Sequence, residues 1–163
     1  MSTFHIALMS PLILGLTLML FAIPFGFISA YLFGHTILIG PGIILLMLYA
    51  WVWLRYRPSR FVIHPDKLEI IWPLKRRYLE RRKITSVQII DSKKLQQEAG
   101  WCVRIGVGGL WGAFGWLWTK HRGIVQMYIS RMDGFVWIEC VDGRPWLITP
   151  ENPEFFVREL SNK

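Results

Sequence analysis

From Met1 to Leu54 the chain contains no Lys, Arg, Asp or Glu. Few folds accept so long an uncharged stretch. It divides into two apolar runs, Ile6–Phe33 and Ile37–Leu54, separated by the short connector Gly34-His35-Thr36. A helix needs about 20 apolar residues to cross the hydrocarbon core of a bilayer, and the first run exceeds that. Pro11 suits a first helical turn, and Pro24 with Gly26 predicts a kink or tilt. A soluble helical hairpin would show a polar face at helical period; Ser10, Thr17 and Ser29 make no such stripe. Trp51, Trp53 and Tyr56 stand where an interfacial belt forms. Gly15, Gly26, Gly40 and Gly42 permit close helix packing. Residues 1–57 are therefore expected to form a two-helix transmembrane hairpin, spanning about 6–33 and 37–54.

Charge sets the orientation. From Arg55 to Arg104 there are 13 Lys/Arg against 5 Asp/Glu, a net of +8, while Ile105 to Lys163 holds 6 against 6. The whole surplus follows the uncharged part, and the connector carries no Lys or Arg. The positive-inside rule then places the C-terminal domain in the cytoplasm, beside an anionic leaflet. A cleaved signal peptide fits less well, because the amino end has no positive charge and the run is too long. Cys102 and Cys140 form no metal spacing, and His5, His35, His64 and His121 are scattered. No metal or cofactor is expected.

After the linker Arg55–Arg60, with Pro58 disfavouring helix in the residue before it, the hydrophobic period changes to alternation. Arg60–His64 and Lys67–Trp72 predict strands about a Pro65-Asp66 turn, the second placing Leu68, Ile70 and Trp72 on one face. "RRYLE" and "KITSVQII" predict two more. Further on, Ile124–Ser130, Phe135–Val141 and Pro145–Thr149 predict a three-strand meander, with turns at Met132-Asp133-Gly134 and Asp142-Gly143. Pro145 suggests an edge or a bulge. Asn152 as N-cap, Pro153 at the first helical position and Glu154 in the first turn open a final helix, whose Phe155, Phe156 and Leu160 need a sheet to cover. Residues 58–163 are thus expected to form a mainly β barrel or sandwich of about seven strands, plugged by one C-terminal helix.

The segments "FVIHPDKLEII", "RRYLERRKITSVQII", the glycine-rich block and "GIVQMYISRMDGFVWIECVDGRPWLITPENPEFFVREL" together resemble a pleckstrin-homology-like (PH-like) domain. More narrowly, the chain resembles bacterial PH-like proteins with two N-terminal membrane helices. The resemblance runs from about Arg60 to Leu160 and implies an integral protein of the bacterial cell membrane. It brings no catalytic residues. Eukaryotic PH domains that read phosphoinositides carry their basic residues in the first hairpin. Here that turn is "HPDK", with one acid and one base, so no inositol-phosphate site carries over.

"RIGVGGLWGAFGWLWTK" (Arg104–Lys120) holds five glycines and four large aromatics. Gly106 and Gly108 begin a dinucleotide fingerprint, but Trp111 stands at its last glycine and no acidic residue follows at the ribose spacing. The block is too short and glycine-rich for a third span. Two readings remain. In one it is a strand–loop–strand of the β-domain with its aromatics in the core. In the other the loop turns Leu110, Trp111, Phe114, Trp116 and Trp118 towards the bilayer surface, where tryptophan prefers to sit.

The run "KRRYLERRK" (Lys75–Lys83) also has two readings. It is a solvated strand edge guarded by charge, or Lys75, Arg76, Arg77, Arg81, Arg82 and Lys83, with Arg55 and Arg57, contact anionic headgroups. Only Tyr78 interleaves with these cations, so nucleic acid is not an expected partner. No nucleophile–base–acid set is apparent and no G-x-S-x-G occurs, so neither an enzyme nor a small-molecule substrate is expected. The expected function is a membrane-tethered interaction module, a scaffold or adaptor that binds a protein partner or itself and is oriented on anionic lipid. A lipid sensor and an accessory subunit of a larger membrane complex are the alternatives.

Overall fold

The structure is a computed structural model that describes residues 2–141 and 143–162. The expected turn residue Asp142 lies outside them. Two long helices come early: α1, Pro11–Leu32, and, after a 3₁₀ turn at Thr36–Leu38, α2, Ile39–Arg55. Pro11 opens α1, where a missing N–H loses nothing. α1, and α2 taken with the 3₁₀ turn before it (Thr36–Arg55), are long and apolar enough to cross a membrane, and only 17% of either apolar window is buried, unlike a core helix of a soluble domain. They touch along one side, where Tyr49 Oη donates to Leu20 O at 3.0 Å.

Two sheets follow. The first takes β1 (Ser2–His5), β2 (Arg60–Ile63), β3 (Lys67–Ile71) and β4 (Arg76–Glu80), antiparallel and in that order. The strand β1 had no sequence signal of its own, and it carries the amino end into the sheet beside β2. The second sheet holds β5 (Ile84–Ile90), β6 (Cys102–Gly108), β7 (Ala113–Thr119), β8 (Gly123–Ile129), β9 (Phe135–Cys140) and β10 (Trp146–Ile148), in the order β5-β9-β10-β8-β7-β6. Among the described residues there are ten strands, nine of them in the part where about seven were expected, and the two sheets do not close into a barrel. The expected meander is also corrected. β10 lies between β9 and β8, antiparallel to the first and parallel to the second. Pro145 therefore precedes a central strand rather than an edge, tolerated because it stands outside the ladder and offers its carbonyl to Gln126 N–H at 2.8 Å.

Alternation assigns the faces. Phe114, Tyr128, Val136, Ile138, Trp146 and Ile148 point from the second sheet into a core shared with Phe61, Leu68, Ile70 and Trp72 of the first. The last helix, α4 (Pro153–Ser161), adds Phe156 and Leu160 to that core, with Phe156 edge-on to Phe4 at 5.1 Å. Asn152 is its N-cap residue, although its side chain makes no capping bond. On the opposite face of the second sheet lie Leu117, Val125, Met127, Trp137 and Leu147, against which α3 (Ser92–Ala99) sets Leu95. That helix, unforeseen in the sequence, starts at Asp91, whose carboxylate accepts Lys94 N–H at 2.6 Å.

The lead into α1 is stitched to the β-domain. Ala7 N–H donates to Thr149 O (2.9 Å), Ser130 Oγ donates to Ala7 O (2.6 Å) and Ser10 N–H donates to Ser130 O (3.3 Å). The helix pair thus leaves the domain from fixed points at both ends.

Candidate functional site

The glycine block forms the hairpin β6–β7, in register from Cys102↔Thr119 to Gly108↔Ala113. Gly106 and Gly115 face each other at positive φ, 142° and 133°. A Cβ on either would fall 2.3 Å from Phe114 O or 2.5 Å from Ile105 O, so both positions exclude a side chain.

The tip of this hairpin rests on the helix pair. Thr17, buried in α1, places Oγ1 2.8 Å from both Ile13 O and Gly109 O and accepts Trp111 N–H at 3.0 Å. Gly109 N–H also donates to Gly112 O at 3.0 Å. Trp111 is the one non-glycine residue at positive φ among the described residues (56°), a conformation that costs a tryptophan energy. Its ring is held edge-on by Phe21 (5.7 Å) and Trp53 (4.8 Å). Leu110 is buried against Tyr49 and Val52.

The block is a strand–loop–strand of the β-domain, and its aromatics divide between core, helix contact and open surface. Phe114 is fully buried in the inter-sheet core and is unavailable to lipid, which corrects its expected place at the bilayer surface. Leu110 and Trp111 meet the helices. Trp116 (46% exposed) and Trp118 (53%) stay open on the face that continues from Phe114, next to Ile105.

The cations expected to act together separate into two groups. Arg81 reaches the carboxyl end of α4, donating to Leu160 O (2.9 Å), Glu159 O (3.2 Å) and Asn162 O. It is a helix cap, a structural role that its place in the basic run did not foretell. Arg82 pairs with Glu80 at 2.5 Å, and Lys83 lies 3.9 Å from the same carboxylate. Arg76 lies 3.5 Å from Glu69, which His64 also contacts at 3.0 Å. In contrast, Arg55, Arg57, Lys75 and Arg77 have no carboxylate partner among the described residues. Three of them, Arg57, Lys75 and Arg77, lie instead on aromatic rings or polar neutral groups. Arg57 stacks 4.2 Å over Trp53, and burial pulls its pKa down. Lys75 Nζ sits 4.6 Å over Trp72. Arg77 donates to Gln126 Oε1, lies 3.5 Å from Tyr128 Oη and is 5.4 Å over Trp146.

Three of these four cations, Arg55, Lys75 and Arg77, share one cleft of about 600 Å³ between the last turns of α2 and the β6–β7 hairpin. Its other wall is apolar and aromatic, with Leu48, Trp51, Val107 and Trp116. Burial first, then the charges of Arg55 and Arg77, push the Lys75 pKa down. Tyr128, also lining the cleft, is pushed up by burial, with Arg77 opposing. Gln126, Tyr128 and Thr17 were missed in the sequence. The first two lie in an alternating strand like any other, and only Thr17, one of few polar residues in an apolar run, offered a signal.

Cys102 and Cys140 are free thiols with pKa values raised by burial. No group of His, Cys, Asp or Glu among the described residues is placed to hold a metal.

A family model described as "Bacterial PH domain" matches residues 59–163, well over half of the chain. No curated protein and no solved structure matches.

Proposed function

The chain belongs to the bacterial PH domain family, and from that premise we propose that it is a membrane-tethered interaction module whose β-domain is clamped to its own transmembrane hairpin. The observation that carries this reading is the position of the β6–β7 tip. The 22 residues of α1 span about 33 Å, close to the roughly 30 Å of a hydrocarbon core. Thr17 lies about 9 Å along that helix from Pro11. A full crossing leaves little helix to spare outside the lipid, so in this reading Gly109–Gly112 shares the layer of the bilayer nearest the domain. Backbone at that depth must have its polar groups satisfied. Thr17 and the Gly109–Gly112 bond meet that need at four of them.

Charge supports the same placement. Arg55, Arg57, Lys75 and Arg77 gather at the domain end of α2, where the anionic cytoplasmic leaflet lies if positive-inside holds. Arg76, Arg82 and Lys83 add to the field and are partly neutralised by Glu69 and Glu80. The module has no catalytic role in this reading. It recruits by surface, and β6 is the natural place. This strand ends its sheet, so one backbone row faces no described strand, an arrangement suited to strand addition by a protein partner or a second copy.

Carbonate washing of membranes, with protease shaving of intact cells, tests the tether. The expected result is retention in the pellet with the β-domain protected. Release into the wash, or clipping of the β-domain from outside, overturns the reading. Native mass measurement in mild detergent tests recruitment; a strict monomer with no co-purifying protein counts against it.

A further inference from the structure

The cleft between α2 and the β6–β7 hairpin is built for more than general attraction to a charged surface. Arg55, Lys75 and Arg77 converge there with no carboxylate among the described residues to balance them. Like charges in a partly enclosed space repel strongly, because neither water nor salt screens them fully. The arrangement is held by aromatic supports. Trp72 carries Lys75 on its ring, donates Nε1–H to Tyr56 O at 3.0 Å and packs edge-on to Tyr128 at 5.2 Å. Tyr128 in turn lies beside Arg77. Lys75 and Arg77 are thus positioned by buried groups, and Arg55 joins them from the last turn of α2.

The rest of the cleft has the opposite character. Leu48 and Trp51 lie one to two turns before Arg55 along α2, and Val107 and Trp116 face them from the hairpin. The bare backbone of the Gly106–Gly115 pair forms part of the wall. The cleft is therefore cationic at the end nearer the domain and apolar further along the helix.

We propose that this cleft binds one anionic phospholipid molecule, its phosphate among Arg55, Lys75 and Arg77 and an acyl chain beside Leu48, Trp51 and Trp116. The site rests on the tethered reading above, which brings the end of α2 to headgroup depth. It explains why an otherwise unpaired triad of cations is kept at the junction of helix and domain. A bound lipid neutralises the triad and joins α2 to β7, so lipid composition sets how firmly the β-domain is held. A free phosphate would meet the same cations but would leave the apolar wall uncovered.

The full chain, purified in a neutral detergent, is examined by native mass spectrometry with phosphatidylglycerol, phosphatidylcholine or inorganic phosphate added. The expected result is one phosphatidylglycerol retained per chain, not displaced by inorganic phosphate and not replaced by phosphatidylcholine. At about a factor of five for each cation, the triple variant R55Q/K75Q/R77Q retains that lipid about a hundredfold less tightly. A control that removes equal charge elsewhere, K93Q/K120Q/R144Q, leaves retention unchanged. Trp116→Ala, on an already exposed side chain, weakens lipid retention and serves if the triple variant fails to fold. Equal losses in the two triple variants, displacement by inorganic phosphate, or no retained lipid in the unaltered chain overturns the site. If these occur while the chain still resists carbonate, the site alone falls. Release by carbonate overturns the tether beneath it.

Discussion

The inner face of the second sheet ends in two different ways. Under β9 and β10 it is sealed: Val136, Ile138, Trp146 and Ile148 meet Phe61, Leu68, Ile70 and Phe156, all buried. At β6 and β7 the same face meets the helix pair through Val107, Leu110 and Trp111, and beyond them Trp116 and Trp118 remain uncovered. The sealed half is held by close packing of apolar side chains, which water drives together. The open half is held by aromatic edges and by one hydroxyl that satisfies two turns of backbone, and its uncovered face is continuous with exposed helix. A water-soluble domain has reason to seal both halves. The proposed tethering would account for an unsealed half, since lipid would cover it.

The largest effect that can break this comparison belongs to the sealed half. Phe156→Ala removes a fully buried ring at the centre of the core and should cost about 3–5 kcal/mol in chemical denaturation of the full chain in detergent. A loss below about 1 kcal/mol would mean that α4 is peripheral and the two halves are alike. Gly106→Ala comes next. Its Cβ has no space beside Phe114 O and its φ is unsuited to alanine, so more than about 1 kcal/mol should be lost. Hairpin amides across β6–β7 should exchange faster, and unchanged exchange would show that the strand pair tolerates the intrusion.

A smaller, local effect is expected at the open half. Thr17→Val keeps shape but leaves Trp111 N–H and Gly109 O without their partner, at about 1–3 kcal/mol. Amide exchange should rise at Trp111 and stay unchanged in β9 and β10. A uniform rise would mean that the tip and the inter-sheet core unfold as one unit. The smallest contrast lies between neighbours. Arg81→Gln loses the cap on α4, about 1 kcal/mol, whereas Arg82→Gln should leave the unfolding midpoint where it is, since its pair with Glu80 is exposed. Equal effects would erase the distinction between structural and surface cations.

By itself, the sequence determined the elements whose signal is local. The absence of charge before Arg55 marks two helices able to span a bilayer. Alternation in "KLEIIW", "IVQMYIS" and "FVWIECV" marks strands and their buried faces, and "ENPEFF" marks the start of α4. Tertiary structure alone decided which elements are neighbours. Ser2–His5 became a strand only because β2 offers it an edge, and β10 separated β8 from β9 although the sequence read them as consecutive. Alternation reports which way a side chain points and carries no information about the strand beside it. The same limit applied to the site. Arg77 and Arg81 look alike in "KRRYLERRK", yet one enters a cleft beside α2 and the other caps α4. What a cation does depends on the charges and carbonyls within a few ångströms of it, and the fold brings those from distant parts of the chain.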